Sequence, residues 1–156
     1  MKTRIVLTAA AIAVALTAVV ADGQVINVVK MRKAVMETNG AASAVAVDMI
    51  RGKYPYDPAI AASVATSIGH DNELFPTLFP DTSKPDVFKP AGKDDQTKAK
   101  PAVWTDNAGF KALSAKMVKD AQAAADAAPK GADAFKAAFQ AVADNCEACH
   151  TKYRVD

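Results

Sequence analysis

The run Cys146-Glu147-Ala148-Cys149-His150 constrains this chain more than any other feature, because it sets two thiols and an imidazole side by side near the end of the polypeptide. Cys-x-x-Cys-His is the pattern on which a c-type haem is mounted covalently. Two thiols separated by two residues can add to the two vinyl groups of one porphyrin, and the adjacent imidazole then reaches the iron. The segment predicts one haem c as cofactor, with Cys146 and Cys149 as its attachments and His150 as proximal axial ligand.

Two other chemistries share the Cys-x-x-Cys spacing. A redox dithiol wants the pair near the start of a helix in a βαβ setting, where the helix dipole lowers a thiol pKa. Here the pair sits instead near the end of an Ala-rich segment. A structural zinc ion wants four N or S ligands. The chain offers two Cys and two His, and His70 is far from the pair in sequence.

The N-terminus speaks to compartment. Lys2 and Arg4 precede the uncharged run Ile5 to Val20, and Val19-Val20-Ala21 offers small residues for a peptidase. This reads as a cleaved secretory signal peptide over residues 1–21, with 22–156 as the mature domain. The run is short and rich in Ala and Thr for a membrane span, so no stable membrane insertion is expected after its removal. The predicted location is periplasmic, in keeping with covalent haem attachment outside the cytoplasm. Of 19 Lys+Arg and 17 Asp+Glu, the leader holds Lys2 and Arg4 and no acid, so the mature part balances at 17 against 17. That balance, without a basic stripe, argues against nucleic acid as a partner.

Helices dominate the composition. Ala41 to Ala46, Ala121 to Ala128 and Ala132 to Ala143 are dense in the best helix former, and β-branched alternation is largely missing. A first helix is expected from Gln24 to Arg51, stopped by Gly52 and the turn-prone Tyr54-Pro55-Tyr56-Asp57-Pro58. Asp57 suits an N-cap with Pro58 at the first position of a second helix running to Leu74. Phe75 to Lys100, broken by Pro76, Pro80, Pro85 and Pro90, reads as a long connection. A third helix starts at Pro101 and ends before Pro129-Lys130-Gly131. A fourth continues through the haem motif to Arg154. The short links make each pair antiparallel, which predicts an all-α, antiparallel four-helix bundle with a long connection between helices two and three and the haem buried between helices. In the fourth helix Phe135, Ala138, Phe139, Val142, Cys146, Cys149, His150 and Tyr153 share one face.

The iron's sixth position decides the chemistry. A thioether there favours electron transfer, whereas an open position admits a small gas. Met31, Met36, Met49, Met117 and His70 are the candidates, and periodicity does not choose among them. His70, flanked by Gly69 and Asp71-Asn72-Glu73, is expected to face solvent. Arg154 lies one turn beyond His150, where it can approach the imidazole or a haem propionate, or simply be a solvated cation at a helix end. Peroxidase-like catalysis wants a distal acid or base. The first helix offers Arg32 but no distal His, so the chain is not expected to be an enzyme.

Four groups of residues resemble the cytochrome c' family: Arg32-Lys33-Ala34-Val35-Met36 with Gly40; Pro55-Tyr56-Asp57; Leu78-Phe79-Pro80 with Pro101-Ala102-Val103-Trp104; and Cys146-x-x-Cys149-His150-x-x-Tyr153-Arg154. The resemblance covers the mature chain and keeps the motifs in order. It implies that Met36 occupies the distal position opposite His150, as axial ligand or as steric gate. The loop from Pro80 to Lys100 is similar to the low-spin, methionine-ligated branch. Arg32 matches a position that often lies by the propionates. The resemblance implies a one-electron carrier working with redox partner proteins, or else a five-coordinate haem protein that binds or buffers nitric oxide or carbon monoxide. It also implies a homodimer through the first two helices. Ala41 to Val47 would allow close helix approach in such a dimer, or equally could be intrachain core.

Overall fold

The computed structural model describes residues 21–90, 92 and 95–155. The leader expected over 1–21 therefore lies outside the described residues, save Ala21. Helix α1 spans Ala21–Ile50, α2 Pro58–Leu74, α3 Ala102–Thr105, α4 Asn107–Ala127 and α5 Ala132–Tyr153. The four long helices run up, down, up and down, which is the expected all-α bundle.

Local chemistry sets most boundaries. Gly52, at φ 72°, turns the chain after α1 in the left-handed region that L side chains avoid. Asp57 caps α2 by accepting from the backbone N–H groups of Ala59 (2.8 Å) and Ile60 (3.0 Å), and Pro58 follows at the first helical position. Tyr56 donates its hydroxyl to the Ala128 carbonyl at 2.8 Å and so ties this turn to the far end of α4. Pro129 and Gly131, the latter at φ 108°, make the tight passage from α4 to α5.

One expectation needs correction. The third helix is not continuous from Pro101: Asp106, at φ −120° and ψ 49°, separates a single helical turn from α4. Its carboxylate accepts from the Gly109 N–H at 3.3 Å and caps the longer helix. The side chain thereby satisfies a donor that a continuous helix would have given to a backbone carbonyl.

The interior falls into two clusters. One, built on Ala46, Ala61, Ala65, Ala121 and Ala124 with Ile68, Met117, Phe135, Phe139 and Val142, fills the end near the two short links. The other, built on Phe75, Val103, Phe110 and Tyr153, fills the opposite end. Between them each long helix contributes one buried polar residue: Asn39, Asn72, Ser114 and Asn145. Ser114 donates to the Asn72 carbonyl at 2.6 Å, and the Asn145 side chain donates to the Leu113 carbonyl at 3.1 Å, which places α2, α4 and α5 in register at this level.

The connection is more ordered than its prolines suggest. It makes 3-10 turns at Phe75–Leu78 and Asp81–Ser83, and Phe88 packs on Val29 of α1. It ends in a bridge between Ala99 and Arg154, with the Lys100 N–H donating to the Tyr153 carbonyl and the Val155 N–H to the Lys98 carbonyl, both at 2.8 Å. The connection thus runs from α1 to the tail of α5. Among the described residues, no helix is long and apolar enough to cross a membrane.

Candidate haem-attachment site

Cys146, Cys149 and His150 all lie in α5 and are partly buried. Spacings of three and four residues bring them to one side of the helix. Cys146 packs against the Ala-rich cluster and Cys149 against the aromatic one, so the pair straddles the polar level of the bundle. Both cysteines are free thiols.

Their electrostatics argue against an activated redox dithiol. Burial first, and the neighbouring Cys146 second, push the Cys149 thiol up to about 11, and burial raises Cys146 as well. A redox-active dithiol needs the opposite shift, which the positive end of a helix dipole supplies. These cysteines lie toward the negative end of α5. Nor do the described residues contain any group of three or more His, Cys, Asp or Glu side chains that could hold a metal ion by themselves. Two protonated thiols and an imidazole on one face do match what thioether attachment and axial ligation of a haem require.

Burial first, and the positive charge of Arg154 second, hold the His150 imidazole below its ordinary pKa. A neutral ring keeps a lone pair for a metal. Arg154 Nη1 lies 3.4 Å from His150 Nδ1, so the arginine stands beside the imidazole. An open cavity of about 440 Å³ is lined by Lys100, Glu147, His150, Thr151 and Arg154.

Met36 reaches the same end of the bundle from α1. It packs, partly buried, against the cluster that also receives Cys149, along with Leu78, Phe79 and Trp104. The rings there meet edge to face: Phe79 and Phe110 at 4.9 Å, Phe75 and Phe79 at 5.1 Å, Phe110 and Tyr153 at 5.3 Å. His70, in contrast, is exposed on α2. Met49 and Met117 belong to the other cluster, and Met31 is 56% exposed. Among the five candidates for the sixth position, Met36 is the one that shares the aromatic cluster with Cys149.

Arg32 is buried, one turn before Met36. Its guanidinium donates to the Leu78 carbonyl at 2.6 Å, to Ser83 Oγ and to Thr97 Oγ1 at 3.4 Å, and it lies over the Phe79 ring at 3.9 Å. Burial lowers its pKa to about 10, which leaves it charged at neutral pH. The motif in α1 therefore pins the connection.

Motif reading did not single out Asn39, Asp106 or Asn145. Asp106 accepts from Tyr153 Oη at 2.7 Å and pairs with Lys152 Nζ at 2.6 Å, which locks the end of α5 to the start of α4. Gly109 leaves room for this knot, since a Cβ there would stand 2.5 Å from Asp106 Oδ2 and 2.7 Å from Tyr153 Oη. A helix-start aspartate followed three residues later by glycine was the available signal.

Comparison with known proteins agrees with this geometry. The family pattern of Cytochrome C' matches residues 27–154. Cytochrome c' of Rhodopseudomonas palustris is 33% identical over 128 residues, 82% of each chain, and cytochrome c-556 of Agrobacterium tumefaciens is 28% identical over 127 residues, 81% of this chain and 96% of its own. The solved structure of the Rhodopseudomonas palustris cytochrome c' superposes with a TM-score of 0.72 at 32% identity, covering 83% of this chain and 96% of that one. The Cys-x-x-Cys-His run on α5 and the four-helix frame thus coincide with a family that carries covalently bound haem c, and the chain belongs to the cytochrome c' family.

Proposed function

We propose that this chain is a periplasmic one-electron carrier, exported by its first 21 residues, in which His150 and Met36 hold the iron of one haem c from opposite sides. The single observation that supports it most is the meeting of Met36 from α1 and Cys149 from α5 on one aromatic cluster. Haem c, when bound, supplies an iron that alternates between ferric and ferrous states. Cys146 and Cys149 would hold it by adding their S–H groups across its vinyl substituents, and His150 would offer the metal a neutral imidazole nitrogen. Met36 contributes a soft thioether, which favours the reduced metal. Phe75, Phe79 and Phe110 exclude water from that side. Arg154 sits where it can bias the imidazole from outside. Arg32, the distal-side cation, is committed to Leu78, Ser83 and Thr97, which supports a carrier rather than an enzyme with a free distal acid.

A gas-binding role is the second reading. Met36 is only partly buried and unbranched, so it can swing aside for nitric oxide or carbon monoxide. A homodimer draws support from α1, where Met31, Ala34, Thr38, Ala41 and Val45 form an exposed stripe while Ala46 turns inward to the core.

Absorption spectroscopy tests the axial assignment. The ferric holoprotein should be low-spin with a weak near-red methionine charge-transfer band, and Met36→Ala should convert it to high-spin. A high-spin parent spectrum, or a low-spin spectrum that survives the substitution, refutes Met36 as ligand.

A further inference from the structure

We propose that Asn39 is a polar distal residue of this site: its carboxamide hydrogen-bonds a diatomic ligand that enters on the Met36 side. The inference rests on the haem reading above and concerns how the chain treats a ligand once Met36 is out of the way.

Asn39 lies one helical turn beyond Met36, on the stripe of α1 whose buried members include Val29, Arg32, Ala46 and Met49. It is 9% exposed, and its Oδ1 is buried with no hydrogen-bond partner. A buried carboxamide oxygen in that state is uncommon and asks for a reason. The other polar atoms at this end of the bundle are already engaged. Tyr153 Oη donates to Asp106, Trp104 Nε1 to the Phe79 carbonyl at 3.1 Å, and Arg32 to the connection. Of the other buried polar residues at the same level, Asn72 Nδ2 donates to the Ile68 carbonyl and Ser114 to Asn72; Asn145 Nδ2 donates to the Leu113 carbonyl, which fixes its carboxamide although its Oδ1 also lacks a partner.

Asn39 therefore brings an uncommitted hydrogen-bonding group to the stripe of α1 that carries Met36, where the buried Arg32 is already bonded to the connection. A carboxamide carries both a carbonyl and an NH2, and rotation of its terminal torsion presents either one. Its N–H can donate to the partly negative terminal oxygen of a diatomic gas. A site with one such donor retains that ligand better than an all-apolar site of the same shape.

The test uses carbon monoxide as probe on the ferrous holoprotein, comparing Met36→Ala with Met36→Ala/Asn39→Leu. Loss of the donor should raise the C–O stretching frequency in the infrared and speed dissociation about three- to tenfold, the equivalent of one neutral hydrogen bond. Equal frequencies and equal rates in the two proteins overturn the proposal. Leucine keeps the branching of asparagine but is bulkier, so Met36→Ala/Asn39→Ala serves as a second variant that removes the donor without overpacking and should shift frequency and rate in the same direction. A shift in the leucine variant that the alanine variant lacks overturns the proposal by tracing the change to side-chain bulk rather than to the lost donor. Met36 ligation is judged separately, on the ferric spectrum of the unsubstituted protein, so the two failures are distinguishable.

Discussion

The two ends of the bundle solve the packing problem in opposite ways. At the end near the short links, alanines let the helices touch backbone to backbone. Gly69 of α2 faces Ala121 of α4 so closely that an added Cβ would stand 3.4 Å from the alanine's own. At the other end Phe75, Phe79, Phe110, Trp104 and Tyr153 interlock as rings, and hydrogen bonds from Arg32, Trp104 and Asp106 bind the connection and the helix ends around them. Small residues make a bundle that needs nothing but itself. Flat rings, a thioether and thiols make a wall suited to a planar cofactor. The buried polar residues Asn39, Asn72, Ser114 and Asn145 mark where one regime gives way to the other.

The largest expected effect on this contrast comes from the ring hub. Phe110 is 2% exposed and meets Phe75, Phe79 and Tyr153, so Phe110→Ala should cost about 3–5 kcal/mol. Chemical denaturation would read the loss, and the haem absorption bands should shift with it. Unshifted bands would separate the hub from the haem environment.

Overpacking the alanine end should be milder and spectrally silent. Ala121 is fully buried against Gly69, and Ala121→Leu should destabilise by about 1–3 kcal/mol while leaving the haem spectrum unchanged. A changed spectrum would show that strain crosses the polar level and that the two ends are not independent.

The smallest effect belongs to the knot of Asp106, Lys152 and Tyr153. Hydrogen bonds from Lys152 first and Tyr153 second hold the Asp106 carboxyl below the ordinary carboxylate value. The charged form is favoured in the folded chain, so this stabilisation is complete above the unfolded carboxyl's pKa, about 4, and fades as pH falls through the lowered folded value. Thermal midpoints of the parent and Asp106→Asn should differ slightly at neutral pH and converge in acid. A gap that persists in strong acid would assign the knot's contribution to something other than the carboxylate's charge.

Much of this was legible in one dimension. The haem-attachment run is a covalent pattern within five residues, and helix starts such as Asp57-Pro58 and stops such as Gly52 and Pro129 act on their immediate neighbours. The break at Asp106 escaped notice because its cause is a side chain capping Gly109 and holding Tyr153, 47 residues away. The ordering of the connection escaped for the same kind of reason, since prolines announce only that a helix cannot pass. They do not tell that Trp104 and Arg32 will gather the carbonyls of Phe79 and Leu78.

By itself, then, the amino-acid order determined a helical chain with a haem-bearing tail, because periodicity, caps and thiol spacing are short-range properties. Only the tertiary structure decided what stands opposite that tail. Met36, Asn39 and Arg32 come from a helix more than a hundred positions upstream, and whether each meets a ring, a carbonyl or nothing at all depends on how α1, the connection and α5 close around one another.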